Sequence, residues 1–261
     1  MTNFLVQAYT TYKGLFGWLN WFSYITTVIF RPVVLVIIYT LLGRFAGSPE
    51  AMQNYALGIA AYTIAVMVLP GITQCLTYDR SGGTISFFFA SPANRLENYL
   101  ARAVLHYPNG LISFISTLVA VWIMVGLEFG SVNWAGFTLA VLVTTLSITA
   151  LGEFLSAFAI AFRDWSYIQT ALVGLILVFA GVIIPLSVFP TPIQEIAKLL
   201  PVTSGLVTIK STFTGAPLAE TSGYIWREGI TAIVYFVLGY FGFRFFETVA
   251  RYNGTLEQET T

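Results

Sequence analysis

Two charged side chains fall where a charge is expensive. Arg31 lies inside the apolar run 22–42 and Glu153 inside the run 136–162. An unpaired charge at the centre of a bilayer costs from about 2.5 kcal/mol upward. Arg31 is about ten residues into its run, and Glu153 about ten residues before Arg163, so at ~1.5 Å per residue both sit about 15 Å deep. Equal depth predicts a salt bridge between the first and fourth membrane helices, structural first and substrate-touching second. Other reactive types are sparse. Cys75 is the single cysteine, which excludes an internal disulfide, and its place near a span end reads as a buried structural thiol. His106 is the only histidine; it opens an apolar run and reads as an interfacial histidine with its bonds satisfied. One histidine and one cysteine argue against an ordinary metal site. No Ser/His/Asp set or paired carboxylates stand at catalytic spacing, so no catalytic residue is assigned. A GxxxxGK[ST] loop is also missing, and with it one common cradle for nucleotide phosphates.

The elements that position these residues follow from composition. The 261 residues are 57% hydrophobic and 9% charged, with a mean hydropathy of +0.79. A soluble domain is about 25% charged. Several apolar runs reach the roughly 20 residues that cross a bilayer as a helix. The reading is an all-α integral membrane protein, since helices satisfy their own backbone in lipid. The alternating segments of about ten residues that a β-barrel needs do not occur. A net charge of zero gives no sign of a nucleic-acid partner.

Six spans are expected, at 22–42, 55–78, 103–125, 136–162, 167–188 and 228–248. Residues 2–21 precede them. Phe4, Ala8, Tyr12, Leu15, Phe16 and Leu19 recur at helical spacing, which predicts an amphipathic helix in the interface with Trp18 and Trp21 at headgroup depth. No cleavable signal pattern opens the chain, so insertion is expected to rely on the first span. Pro32 and Pro70 should kink their helices. Phe189–Leu200 is apolar but too short to cross. Prolines punctuate it at Pro190, Pro192 and Pro201, with Pro185 upstream, which predicts a short helix dipping into the outer leaflet. Ser204–Phe213 is expected to return from it, making 189–213 an outer re-entrant segment.

With both termini cytoplasmic, Lys13, Arg80, Arg95, Arg102, Arg163, Arg244 and Arg251 lie inside, and Arg44, Lys198, Lys210 and Arg227 outside. That is seven against four of the twelve basic residues, with Arg31 uncounted. The stretch Tyr78–Arg102, YDRSGGTISFFFASPANRLENYLAR, is then cytoplasmic. Gly82 and Gly83 permit a tight turn. Phe87, Phe88 and Phe89 suggest an apolar knob. Ser91 is placed to cap a helical turn opened by Pro92. Arg95 and Glu97 offer charge at the rim.

Three features resemble the permease subunits of ABC-2 type ABC transporters. The central DRSGGTISFFFASPANRLENYLAR is similar to that family's segment after the second span, with its Gly-Thr and then Ser-Pro. The late GVIIPLSVFPTPIQEIAKLLPVTSGL is similar to the family's Gly-x-x-x-Pro and Leu-Pro-x-(Ser/Thr) run. Six spans follow an amphipathic helix, as in the family. Where members often carry a glutamate before the Gly-Thr, this chain has Asp79 and Arg80. The resemblance covers nearly the whole chain. It implies one transmembrane domain over 1–261 and a coupling helix within Thr84–Tyr99 that meets a separate ATPase subunit. Asp79, Arg80, Gly83, Thr84, Phe87, Phe88, Ser91, Pro92, Arg95 and Glu97 would carry that contact. It further implies ATP and Mg bound by the partner and none by this chain, a second permease copy, surrounding lipid in an inner membrane, and export of a hydrophobic drug, lipid or lipid-linked glycan. The rival from the residues alone is a stand-alone intramembrane enzyme or channel-like protein that needs no ATPase.

Overall fold

The computed structural model describes residues 2–15, 20–45, 49–90, 94–162 and 165–252, which form helices and the turns between them. Helix α1 (Thr2–Leu15) precedes the first membrane helix, which is built from α2 (Trp21–Tyr24), a π-helical turn (Ile25–Phe30) and α3 (Arg31–Phe45). The second is α4 (Pro49–Ser81). Two short helices, α5 (Ile85–Ala90) and α6 (Arg95–Val104), lead into α7 (His106–Val125). Then come α8 (Trp134–Phe158) and α9 (Trp165–Phe179). A 3₁₀ turn (Leu186–Val188), α10 (Thr191–Ala197) and α11 (Thr203–Phe213) connect to the terminal helix α12 (Leu218–Tyr252). Among the described residues, five helical stretches are long and apolar enough to cross a membrane, and α9 is a shorter apolar helix.

The irregularity expected at Pro32 takes the form of the π-helical turn. Proline has no N–H, so the preceding turn cannot keep its α-helical pairing. Widening that turn lets the Arg31 N–H reach the Thr26 carbonyl instead. At Pro70 the helix runs on, and the Thr73 hydroxyl bonds back to the Leu69 carbonyl at 2.8 Å.

Helix α4 is the centre of the bundle. Its apolar window is 83% buried, against 17% for the first span and 17% for α12. Small residues make this possible. Ala56, Ala60, Ala61 and Ala65 are all buried on α4 and let α3, α7, α8 and α9 approach closely. Gly58 is the tightest point, because a Cβ there would stand 2.6 Å from the Val182 carbonyl oxygen. Helix α12 packs chiefly along α8 and α11. Its outer face, with Ile233, Phe241 and Phe245, and that of the first span, with Phe30, Val34 and Ile38, are exposed.

Two span boundaries differ most from expectation. The fifth helix stops at Phe179, well before residue 188. Gly181 takes a left-handed φ of 78° just beyond it, and Pro185 follows. At 15 residues it is about 22 Å long, short of the bilayer's hydrocarbon thickness. The sixth helix starts at Leu218, ten residues before the expected 228. Gly223 lies inside it; glycine within a helix costs only about 1 kcal/mol, which a helix of 35 residues tolerates.

Placing a methyl at Gly58 should therefore cost far more than placing one at an open glycine. Gly58→Ala is expected to lower stability by about 1–3 kcal/mol through overpacking. Gly174→Ala, which meets nothing within 4 Å, should be neutral or stabilising. Thermal unfolding of the purified protein in detergent reads both.

Candidate functional site

The stretch between the second and third spans is built from a reversal and two helices. The reversal begins where α4 ends. The Gly82 N–H bonds the Tyr78 carbonyl at 2.8 Å and the Thr84 N–H bonds the Asp79 carbonyl at 2.8 Å. Gly83 lies between them with a φ of 69°, a conformation that disfavours a side chain. Asp79 is buried and forms a salt bridge with Arg102 of α6, itself buried. The Thr84 hydroxyl also donates to the Asp79 carboxylate at 3.2 Å. The inner end of α4 is thus clamped to α6.

Arg80 reaches the other way. Its guanidinium donates to the carbonyls of Ala159 and Ile160 at 3.3 and 2.5 Å. These lie just past the C-terminus of α8, where helix carbonyls have no donors of their own and the dipole favours a cation. Asp79 and Arg80 were expected to face a partner. The structure instead turns both toward this chain's own helix ends, because charges at the edge of an apolar bundle are most stable when paired within it.

Helix α6 is capped by Asn94. Its side-chain oxygen accepts from the N–H groups of Leu96 and Glu97 at 3.2 and 3.4 Å, while its amide donates to the Glu97 carboxylate at 3.1 Å. Asn94 is thus an N-cap whose side chain is itself held by Glu97, which gives Glu97 a local role on an exposed surface. Ser91 and Pro92, expected to cap and open a helical turn, lie outside the described residues, as do the side chains of Phe87, Phe88 and Arg95. Phe89 departs from the expected exposed knob. It is buried, its ring stacks 6.2 Å from that of Phe243 on α12, and the Arg251 guanidinium stands 5.9 Å over it. Arg251 also donates to the Phe89 carbonyl at 3.3 Å and pairs with Glu247 at 3.1 Å.

Tyr99 completes the attachment. It is fully buried on α6 and stacks on Phe243 with centroids 4.3 Å apart. Its hydroxyl donates to the main-chain carbonyl of Glu153 on α8 and accepts from the Ser156 hydroxyl at 2.8 Å. The segment is therefore tied to α4 by an ion pair, to α8 by a tyrosine and to α12 by stacked rings, while Arg80 ties the end of α4 to the end of α8. Sequence reasoning missed Tyr99 and Phe243. The helical spacing of Leu96, Tyr99, Leu100 and Ala103 was the available signal that one face of α6 is buried.

Arg31 and Glu153 do not pair. Glu153 is buried, and both its carboxylate oxygens lack a hydrogen-bond partner, while Arg31 is exposed on the outside of the first span. Equal depth did not bring them together because they occupy different faces of the bundle. Glu153 belongs to the wall of an apolar cavity of about 700 Å³ between α6, α7, α8 and α12. Cys75 and His106 are both buried, with the thiol bonded to the Gly71 carbonyl at 3.2 Å and the imidazole packed on Gly71, where a Cβ would stand 2.3 Å from Nδ1. That matches the structural role expected of the thiol.

The four outer prolines all sit at helix starts or breaks. Pro185 precedes the 3₁₀ turn, Pro190 and Pro192 open α10, and Pro201 separates α10 from α11. The residue that holds this end is Glu228 of α12. Its carboxylate accepts from the N–H groups of Val202 and Gly205 at 2.8 and 2.9 Å and from the Ser147 hydroxyl of α8. Gly205 lies directly against Thr144, where a Cβ would come within 1.9 Å of the hydroxyl oxygen.

The buried Asp79–Arg102 pair can be tested by a double-mutant cycle. Asp79→Ala or Arg102→Ala alone leaves one buried charge unmatched and should cost about 3–5 kcal/mol. The double variant should cost clearly less than the sum, read from unfolding midpoints in detergent.

Residues 6–214 match the ABC-2 type transporter family. The chain is also similar to nodulation protein J of Rhizobium leguminosarum bv. viciae, with 25% identity over 118 residues. That similarity covers 44% of this chain and 46% of the relative, so the chain spans under half the length of the curated relative it matches. The family match extends from α1 through α11, taking in both the α5–α6 segment and the short helices α10 and α11, and the chain belongs to the ABC-2 type transporter family, as a multi-pass membrane protein.

Proposed function

We propose that this chain is the permease subunit of an ATP-driven exporter in the inner membrane, with both termini cytoplasmic. A separate subunit binds ATP and Mg and hydrolyses the nucleotide. Two permease copies, identical or related, enclose the path, and the cargo is a hydrophobic drug, a lipid or a lipid-linked glycan. The observation that carries this reading is the way α5 and α6 are fastened to α4, α8 and α12 at once. A displacement of α6 by a bound ATPase would pass to three membrane helices through Arg102, Tyr99 and Phe243. Closure of two ATPase subunits would draw the two inner segments together and rock the spans. The short outer helices α10 and α11 would close the path on the far side.

Arg31 supports the second copy. It is exposed on the first span between lipid-like neighbours, with Phe30, Val34 and Ile38 on the same outward surface. A guanidinium at that depth is costly against hydrocarbon. A second protein chain or a water-filled path would remove that cost.

Co-purification with a Walker-motif ATPase tests the proposal. Phe88→Asp and Arg95→Glu should each weaken the complex about tenfold, equivalent to ~1.4 kcal/mol. Tyr99→Phe should leave the complex intact and lower the dependence of ATP hydrolysis on cargo. If no ATPase binds, or if both substitutions in the segment are silent, the reading gives way to a stand-alone membrane protein.

A further inference from the structure

The cavity that holds Glu153 has no place in the coupling scheme. It opens on the outer surface of the bundle between α8 and α12, with α6 and α7 at its inner end. At about 700 Å³ it falls within the range of small-molecule sites, roughly 300–1,000 Å³. Its walls are apolar, including Leu146, Ile233 and Phe236, with Tyr107 and Trp226 as further aromatic surfaces. Among the described residues, no lysine or arginine lines it and Glu153 is the only acidic residue that does.

Glu153 is unusual among the buried acids of this chain. Asp79 has Arg102, and Glu228 has two backbone N–H groups and a hydroxyl. Glu247 has Arg251. Glu153 is only 3% exposed, and neither carboxylate oxygen has a hydrogen-bond partner. Two polar groups face it from α6, Tyr99 and Arg102, and the charge of Arg102 acts on Glu153 without a direct ion pair. The Tyr99 hydroxyl donates to the main-chain carbonyl of Glu153, and Arg102 is bound to Asp79. A buried carboxylate without a partner costs several kcal/mol, and a cation brought beside it in a low-dielectric pocket recovers part of that cost. The aromatic faces of Trp226 and Tyr107 favour a cation over a neutral molecule of the same shape.

We infer that the cavity between α8 and α12 is a binding site for a lipophilic monocation, with Glu153 as its counter-charge. The site is entered from the side of the bundle. It does not depend on the exporter reading, since binding at equilibrium involves neither ATP nor a partner subunit.

The test uses the full chain in detergent or nanodiscs and the hydrophobic reagent dicyclohexylcarbodiimide. Binding of the cation requires the carboxyl of Glu153 to release its proton to solvent; without the cation the protonated carboxyl adds to the carbodiimide carbon and transfers its proton to nitrogen. The resulting O-acylisourea rearranges to a stable N-acylurea, which peptide mass spectrometry locates. Methyltriphenylphosphonium is the probe, and triphenylphosphine oxide is its neutral counterpart of nearly the same shape. Saturating methyltriphenylphosphonium should slow modification of Glu153 about tenfold, and the oxide at the same concentration should not. In direct binding, Glu153→Gln should weaken methyltriphenylphosphonium at least about tenfold and leave the oxide unchanged. The inference is overturned if Glu153 forms no adduct, if the cation gives no protection, or if the oxide protects equally. Equal protection would mark an apolar cleft indifferent to charge, suited to a lipid chain. Because the labelling arm uses the unsubstituted protein, a folding defect in Glu153→Gln cannot decide the outcome.

Discussion

A helix end inside a membrane has only the protein to bond to. Each α-helix leaves N–H groups at one terminus and carbonyls at the other without partners, and hydrocarbon offers none. Much of the polar chemistry of this chain answers that constraint. Glu228 supplies the missing acceptor at the start of α11, Arg80 the missing donor at the end of α8, and Asn94 the cap of α6. At Pro32 the chain rearranges its own pairing into a π-helical turn. The residues that satisfy these helix ends also fix where α6 and α11 sit.

Glu228 shows how much one such group can carry. Val202 holds a φ of 81°, a left-handed value that a β-branched residue adopts only under constraint, at a cost of about 1–3 kcal/mol. The carboxylate bonded to its N–H provides that constraint. It also places negative charge at the N-terminus of α11, where the helix dipole favours it. Since Glu228 belongs to α12 and its third partner, Ser147, to α8, the outer helices are pinned to the same two helices that grip α6 at the inner end. Helices α8 and α12 pack along each other over much of their length. They form a strut with the inner segment at one end and the outer hairpin at the other, so a tilt of the strut would be felt at both.

Periodicity and length made the helical class legible, along with most of the spans and the existence of two short helices, α10 and α11, before the last one. They did so because apolar runs, proline brackets and double glycines have direct backbone consequences. What was not legible was the direction in which each side chain points. Asp79 and Arg80 are assigned to a partner contact by the family resemblance, yet each engages a group of this chain more than twenty residues away in sequence, Arg102 and the end of α8. Phe89 stands in a run of three phenylalanines, and only the fold shows that it meets Phe243. The end of the fifth span was misplaced because hydropathy continues through Val182–Ile184, while the backbone has already broken at Gly181 to bring the Val182 carbonyl against Gly58.

Arg31 and Glu153 illustrate the limit of arguing from depth. Two opposite charges at the same level of a bilayer can pair only if their helices are neighbours and their faces meet. Here the first span packs on α4 and α7, while Glu153 lies on α8 toward α6 and α12. The bundle keeps both charges without joining them. Neither position is explained by stability, since an apolar residue would be cheaper in both places. An arginine turned outward from the first span and a carboxyl without a hydrogen-bond partner in an apolar cavity are the two places where one copy of the bundle leaves a charge-bearing group unanswered. The proposed second copy and the proposed bound cation each address one of them.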